Sequence, residues 1–169
     1  MKTNTKFVKK GTILQSDGEI SHKSYLVKKG LLRSYAIDTK GKEHIFMFAP
    51  EGWIIGDMES LAFGNPTELF IDALVDSEVI VYDRDFMELS NLSLELLQEE
   101  IKLLARRTAV LQHRILMLIS LSALERYEHF IETYPQLINL VPQYMIASYL
   151  GITPEALSKL RGEITRNKK

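Results

Sequence analysis

The stretch Gln143-Tyr-Met-Ile-Ala-Ser-Tyr-Leu-Gly-Ile-Thr-Pro-Glu-Ala-Leu-Ser-Lys-Leu160 fixes the reading of the whole chain. Two helices joined by a tight turn need a small residue where they cross, a glycine with positive φ four residues later, and apolar residues facing a shared core. Ala147 and Gly151 stand at the first two positions, and Ile146, Leu150, Ile152, Leu157 and Leu160 supply the core. Thr153 suits an N-cap and Pro154 the first helical position. The pattern predicts a helix-turn-helix whose second helix runs from Pro154 to about Arg166. A helical hairpin used only for packing would share it.

With Leu157 and Leu160 facing inward, the second helix presents Glu155, Ser158, Lys159 and Arg166 outward. These types read base edges and bind phosphates: Lys159 can donate to guanine O6 or N7, Glu155 can accept from cytosine N4, and Ser158 can do either. Gln143, Tyr144, Thr153 and Arg161 are placed to hold phosphates, which sets register without specifying sequence. The charge distribution agrees. Net charge is −1, but residues 1–42 carry +7, residues 43–100 carry −13 and residues 101–169 carry +5. A basic C-terminal part can meet a polyanion while the acidic part stays clear of it. A solvated surface of mixed charge is the alternative.

Upstream, Leu94, Leu97, Ile101, Leu104, Thr108, Leu111, Ile115 and Leu118 alternate steps of three and four, a heptad seam. Such a helix spans about 25 residues and roughly 38 Å. A second stripe, Leu96, Leu103, Val110 and Met117, widens the apolar face. A long core helix within a monomer would show the same seam. A dimer helix is favoured because one small domain cannot easily cover a rod of that length. Ser122 and Glu125 then have capping-box spacing and open a short helix to about Thr133, ended by Pro135, and Pro142 marks another helix start.

Seven of the nine glycines lie in the first 64 residues, between short β-type runs. The runs are residues 6–8, 12–14, 25–27, 31–37, 44–48, 69–74 and 78–82, and they predict a β-sandwich or barrel-like roll. Asp38-Thr39-Lys40-Gly41-Lys42 supplies a hairpin turn. The expected class is α+β, with a jelly-roll-like β-roll over residues 1–90, a long dimerisation helix over 91–120 and a helix-turn-helix domain over 121–169.

Composition closes off other classes. Hydrophobic residues make up 46% and charged residues 25%, a globular profile. Without cysteine there is no disulfide scaffold, thiolate nucleophile or Cys-ligated cluster. No apolar run reaches the roughly 18 residues of a membrane span, and the N-terminus lacks an apolar signal core, so a cytoplasmic protein is expected. His22, His44, His113 and His129 form no pair at metal-ligand spacing, so no metal is expected and each histidine is read as solvated or packed singly. No nucleophile elbow or phosphate loop occurs. Asp57 and Glu59 read as two carboxylates on one strand face, with nothing else to mark an acid/base pair. The chain is therefore read as not an enzyme.

The glycine-punctuated roll, Gly56-Asp57-Met58-Glu59-Ser60-Leu61 after Trp53, the long helix with Ala105-Arg106-Arg107, and the terminal module together resemble the cyclic-AMP receptor protein/FNR group of bacterial transcription regulators. Leu121-Ser-Ala-Leu-Glu-Arg-Tyr127 and Val141-Pro-Gln-Tyr144 resemble its short members without a long C-terminal wing. The resemblance implies a homodimer on a palindromic double-stranded DNA site, an effector inside the roll, and contact with RNA polymerase. The departures are informative. Members that bind cyclic AMP carry an Arg-Ser phosphate clamp, whose positions here are Thr67 and Glu68, although Asp57 can still serve as the ribose-holding acid. A phosphate facing Glu68 without an arginine is repelled. The adenine-contacting hydroxyl pair corresponds to Leu111 and Gln112, and the missing cysteines exclude an FNR-type cluster. The short N-terminal helices common in the group are read as absent, and the chain as stopping after the recognition helix. No cofactor is assigned. The expectation is an effector other than cyclic AMP in a pocket of Trp53, Asp57, Phe63, Thr67, Phe70 and Leu111, or loss of ligand control. A dimeric ligand-binding or protein-interaction module without DNA binding is the alternative function.

Overall fold

The computed structural model describes residues 2–83 and 93–167. The chain divides into two compact units, residues 1–91 and 92–169. The expected boundary between residues 90 and 91 falls outside the described residues, as do Lys168 and Lys169.

Among its described residues the first unit contains strands β1 (Lys2–Val8), β2 (Ile13–Gln15), β3 (Lys23–Lys29), β4 (Leu31–Ile37), β5 (Glu43–Pro50), β6 (Ile54–Ile55), β7 (Phe70–Ala73) and β8 (Ser77–Asp83), and a short helix, α1 (Met58–Phe63). They form two four-stranded antiparallel sheets, ordered β1-β8-β3-β6 and β2-β7-β4-β5. Period-two alternation drives the pairing. Val27 and Val79 pair across β3 and β8 and face inward, while Lys28 and Glu78 meet at 2.6 Å near the surface. Val8, Tyr25, Val27, Ile55 and Val79 of one sheet pack against Leu32, Ala49, Ile71 and Ala73 of the other as a single interior. The Tyr25 hydroxyl ties the sheets by donating to the Leu14 carbonyl at 2.8 Å, and burial pushes its pKa up to about 12.

The Asp38–Lys42 turn forms as its residues require. The Asp38 carboxylate accepts from the Lys40 and Lys42 amides at 2.9 and 3.0 Å, and Gly41 takes φ of 79°. Asp57 and Glu59 do not share a strand face. Asp57 is the N-cap of α1, its carboxylate accepting from the Glu59 and Ser60 amides, and Glu59 lies in the first helical turn. A carboxylate that satisfies two free amides at a helix start outweighs an alternation only three residues long.

The second unit contains α2 (Leu94–Ser120), α3 (Ala123–Thr133), a single 3₁₀ turn (Pro135–Leu137), α4 (Gln143–Leu150) and α5 (Pro154–Asn167). Ser122 makes the full capping box with Glu125, in which each side chain bonds the other residue's amide. At the end of α4 the Gly151 amide donates to the Ser148 carbonyl at 3.1 Å and the Ile152 amide to the Ala147 carbonyl at 3.0 Å. This paired closure needs a left-handed residue, and Gly151 has φ of 67°. The Thr153 hydroxyl then caps α5 by accepting from the Ala156 amide at 3.2 Å. Ile146, Ala147 and Leu150 of α4 and Leu157 of α5 are fully buried.

A Cβ at Gly151 would meet only Arg126 Nη1 at 3.4 Å and Leu118 Cδ2 at 3.5 Å, ordinary contacts, so the backbone alone opposes substitution. Gly151→Ala should destabilise the chain by about 1–2 kcal/mol in urea unfolding. A variant as stable as the parent would show that the turn has another backbone conformation.

Candidate nucleic-acid interface

Because α5 is capped at Thr153 and pinned at Leu157, its rotation is set. Pro154, Glu155, Ser158, Lys159, Gly162 and Arg166 line one open, shallow surface along it. Glu155, Ser158, Lys159 and Arg166, four of the residues expected to address DNA, are all exposed on this face. Gly162 leaves a gap in the middle, and the Arg166 guanidinium folds back over it, Nε donating to the Gly162 carbonyl at 3.3 Å. Its own backbone amide and the Thr153 hydroxyl hold the Glu155 carboxyl below the usual range, so this side chain is an acceptor at neutral pH.

The expected phosphate-holding residues lie around that face. Thr153 is exposed at the start of α5 but spends its oxygen on the cap. Tyr144 is exposed on the first turn of α4, and Gln143 beside it is half-buried, its side-chain oxygen enclosed and without a hydrogen-bond partner among the described residues. Arg161 is half-buried on the flank of α5.

Two features behind this surface had no local signal in the sequence. Arg114 of α2 lies over the Tyr149 ring of α4, 4.2 Å from its centroid, and Nη2 reaches the Tyr149 carbonyl at 3.4 Å. Phe130 and Tyr134 complete the cluster against Tyr149, with ring centroids 5.5 and 6.1 Å away. Burial lowers the Arg114 pKa and raises that of the Tyr134 hydroxyl. The guanidinium and rings thus fasten α4 to the long helix.

The heptad seam of α2 divides by exposure. Leu94, Ile101 and Ile115 are 72%, 65% and 58% exposed, and Thr108 between them is also exposed. Leu97, Leu104, Leu111 and Leu118 are half-buried. The Thr108 hydroxyl donates to the Leu104 carbonyl at 3.0 Å, so the polar residue in the seam is satisfied within its own helix. In the second stripe Leu103 is half-buried, Val110 exposed and Met117 buried, while the Leu96 side chain lies outside the described residues.

Of the six residues expected to form an effector pocket, five lie in the first unit. Phe63 is 78% exposed. Trp53 packs against the interior cluster, whereas Phe70 stacks on Tyr35 on the opposite face of its sheet. Leu111 belongs to the second unit. Asp57 and Thr67 do meet. The Thr67 hydroxyl donates to the Asp57 carboxylate and accepts from Gln15 Nε2 at 3.0 Å, and both residues are buried. The acid expected to hold a ribose is thereby engaged by the residue expected at the clamp position, and Glu68 is exposed.

Among the described residues, the buried cation of the roll is elsewhere. On the face of β4 away from the interior, Arg33 makes a two-pronged pair with Asp72, both contacts 2.9 Å, and reaches Glu43 at 2.5 Å. Burial alone would lower its pKa, but the two carboxylates outweigh that and hold it above the ordinary value.

Comparison with known proteins agrees with this architecture. The family model described as the cyclic nucleotide-binding domain matches residues 5–89. Anaerobic regulatory proteins of Pasteurella multocida and Haemophilus influenzae are each 26% identical over 177 residues. These alignments cover 94% of this chain and 62% and 66% of those proteins, so the chain spans about two thirds of their length or slightly less. The structure of FixK2 from Bradyrhizobium japonicum superposes with a TM-score of 0.84 at 19% identity, covering 99% of this chain and 87% of that one. A CRP/FNR-family transcriptional regulator from Thermus thermophilus gives 0.73 at 21% identity, covering 97% and 87%. With its jelly roll, long helix and helix-turn-helix in that order, the chain belongs to the cyclic nucleotide-binding domain family and has the fold of the CRP/FNR transcription regulators.

Proposed function

We propose that the chain is a homodimeric, sequence-specific DNA-binding transcription regulator that reads an inverted-repeat site through α5. The observation that carries this reading is the exposed face of Glu155, Ser158, Lys159 and Arg166, set opposite the buried Leu157 and braced by the Gly151 turn. Lys159 and Glu155 differ by one helical turn, so both address the same groove: the ammonium donates to guanine and the ionised carboxylate accepts from cytosine N4. Gln143, Tyr144, Arg161 and Arg166 hold the backbone, and Thr153 caps the reading helix. The names of the curated relatives support a regulator, and no catalytic role is assigned to any residue.

Dimerisation through α2 is part of the same proposal. A row of Leu94, Ile101 and Ile115 in water is an apolar strip that a second copy can cover. Two copies place their recognition helices about one turn of DNA apart, roughly 34 Å. The roll would act as the controlling domain, with an effector other than cyclic AMP, because Asp57 is bonded to Thr67 and no arginine stands at the clamp.

Selection from a library of duplex sites tests the reading of α5. Lys159→Ala should lose preference at one base position per half-site, about 1–3 kcal/mol against the preferred sequence. Arg161→Ala should weaken all sequences alike and reduce the salt slope by roughly one. The reverse assignment would mean that α5 meets DNA in another rotation. Absence of retention on any duplex would instead identify a ligand-binding or protein-interaction module.

Ile101→Lys places a charge at an exposed position, so the monomer fold is preserved while each seam faces a like charge. Sedimentation should show a monomer, and a dimer that persists would put the interface elsewhere. Calorimetry with cyclic AMP should show no micromolar affinity, and such affinity would overturn the assignment of the roll.

A further inference from the structure

His113 of α2 and His129 of α3, read singly from the sequence, meet in the fold. Their rings are 5.1 Å apart between centroids, and the two Nε2 atoms lie 3.1 Å apart. On the other side of the His129 ring, Nδ1 lies 3.2 Å from the Thr133 hydroxyl, one helical turn along α3. When Nδ1–H donates to that oxygen, Nε2 carries the lone pair and points at His113. A hydrogen bond of this kind orients a metal-binding imidazole and fixes its tautomer. Two imidazole nitrogens bound to one cation at about 2.0–2.1 Å are about 2.9 Å apart at a right angle and about 3.3 Å apart at a tetrahedral one. The observed separation falls between these limits.

We propose that His113 and His129 form a two-histidine site for a first-row divalent cation of the zinc, nickel or copper class, joining α2 to α3. Neutral imidazole suits these ions and does not suit magnesium or calcium, which take oxygen ligands. Among the described residues no group of three His, Cys, Asp or Glu side chains could hold a metal, so water completes the coordination. His113 is exposed, which gives the cation and its waters a way in. The site lies where the long helix meets the segment leading to α4. A bound cation therefore stiffens the connection between α2 and the helix-turn-helix, whatever that module contacts.

Calorimetric titration of the metal-free, 169-residue chain with ZnCl₂ and with NiCl₂ tests this directly. One ion should bind per chain, accompanied by a rise in Tm. His113→Gln and His129→Gln should each weaken binding by at least about tenfold and abolish the rise. Thr133→Val keeps both ligands at an exposed position and should weaken binding by about 10-fold or more through the lost second hydrogen bond. His44→Gln, in the other unit, should leave the titration unchanged. Binding that survives in both glutamine variants, or no binding of either ion at about millimolar concentration, would show that the pair is only an imidazole–imidazole hydrogen bond.

Discussion

Two hydrogen bonds at the end of α4, from the Gly151 and Ile152 amides to the Ser148 and Ala147 carbonyls, determine where α5 begins and how it is aimed. They close only if Gly151 is left-handed, so one backbone torsion governs the whole terminal module. Once the turn is closed, Thr153 has to cap α5 and Leu157 has to enter the space beside Ile146 and Leu150. The polar face follows without further choice. Glu155, Ser158, Lys159 and Arg166 are on the surface because helical periodicity leaves them no other place once Leu157 is inside.

The same module is tied back to α2 by a contact of a different kind. A guanidinium largely removed from water is costly unless it has partners, and Arg114 finds them in the Tyr149 ring and carbonyl, with Phe130 and Tyr134 packed against Tyr149. Arginine suits the position because its flat, weakly hydrated cation can lie on an aromatic face while still donating at its edge. A displacement of α2 along its axis would have to carry α4 with it or break this contact. In the proposed dimer, the link connects the pairing helix mechanically to the recognition helix.

In the roll, the balance of charge has moved. The pocket region has a carboxylate, a hydroxyl and an amide bonded to one another through Asp57, Thr67 and Gln15, with no cation among them. Among the described residues of this unit the buried arginine is Arg33, and it is neutralised by Asp72 and Glu43 on the far face of its sheet. Breaking such a pair would leave a buried charge exposed to low dielectric, so Arg33 serves the fold and is not free to recruit an anion. The two sheets of the jelly roll are thus closed by contacts that are satisfied within the unit.

What the amino-acid order by itself determined was everything set within a few residues. The Gly151 turn, the Ser122 capping box, the Asp38 hairpin and the length of α2 were all legible because hydrogen bonds two to five residues apart create them. Local reading failed where a short pattern had two solutions. Asp57 and Glu59 alternate like a strand, but two free amides drew Asp57 into a cap. Only the tertiary structure decided that Phe63 faces water, that Trp53 and Phe70 take opposite sides of a sheet, and that Arg114 meets Tyr149. It also brought His113 to His129. Those pairings depend on how one element lies across another, and side-chain spacing along a chain carries no record of a crossing between elements distant in sequence.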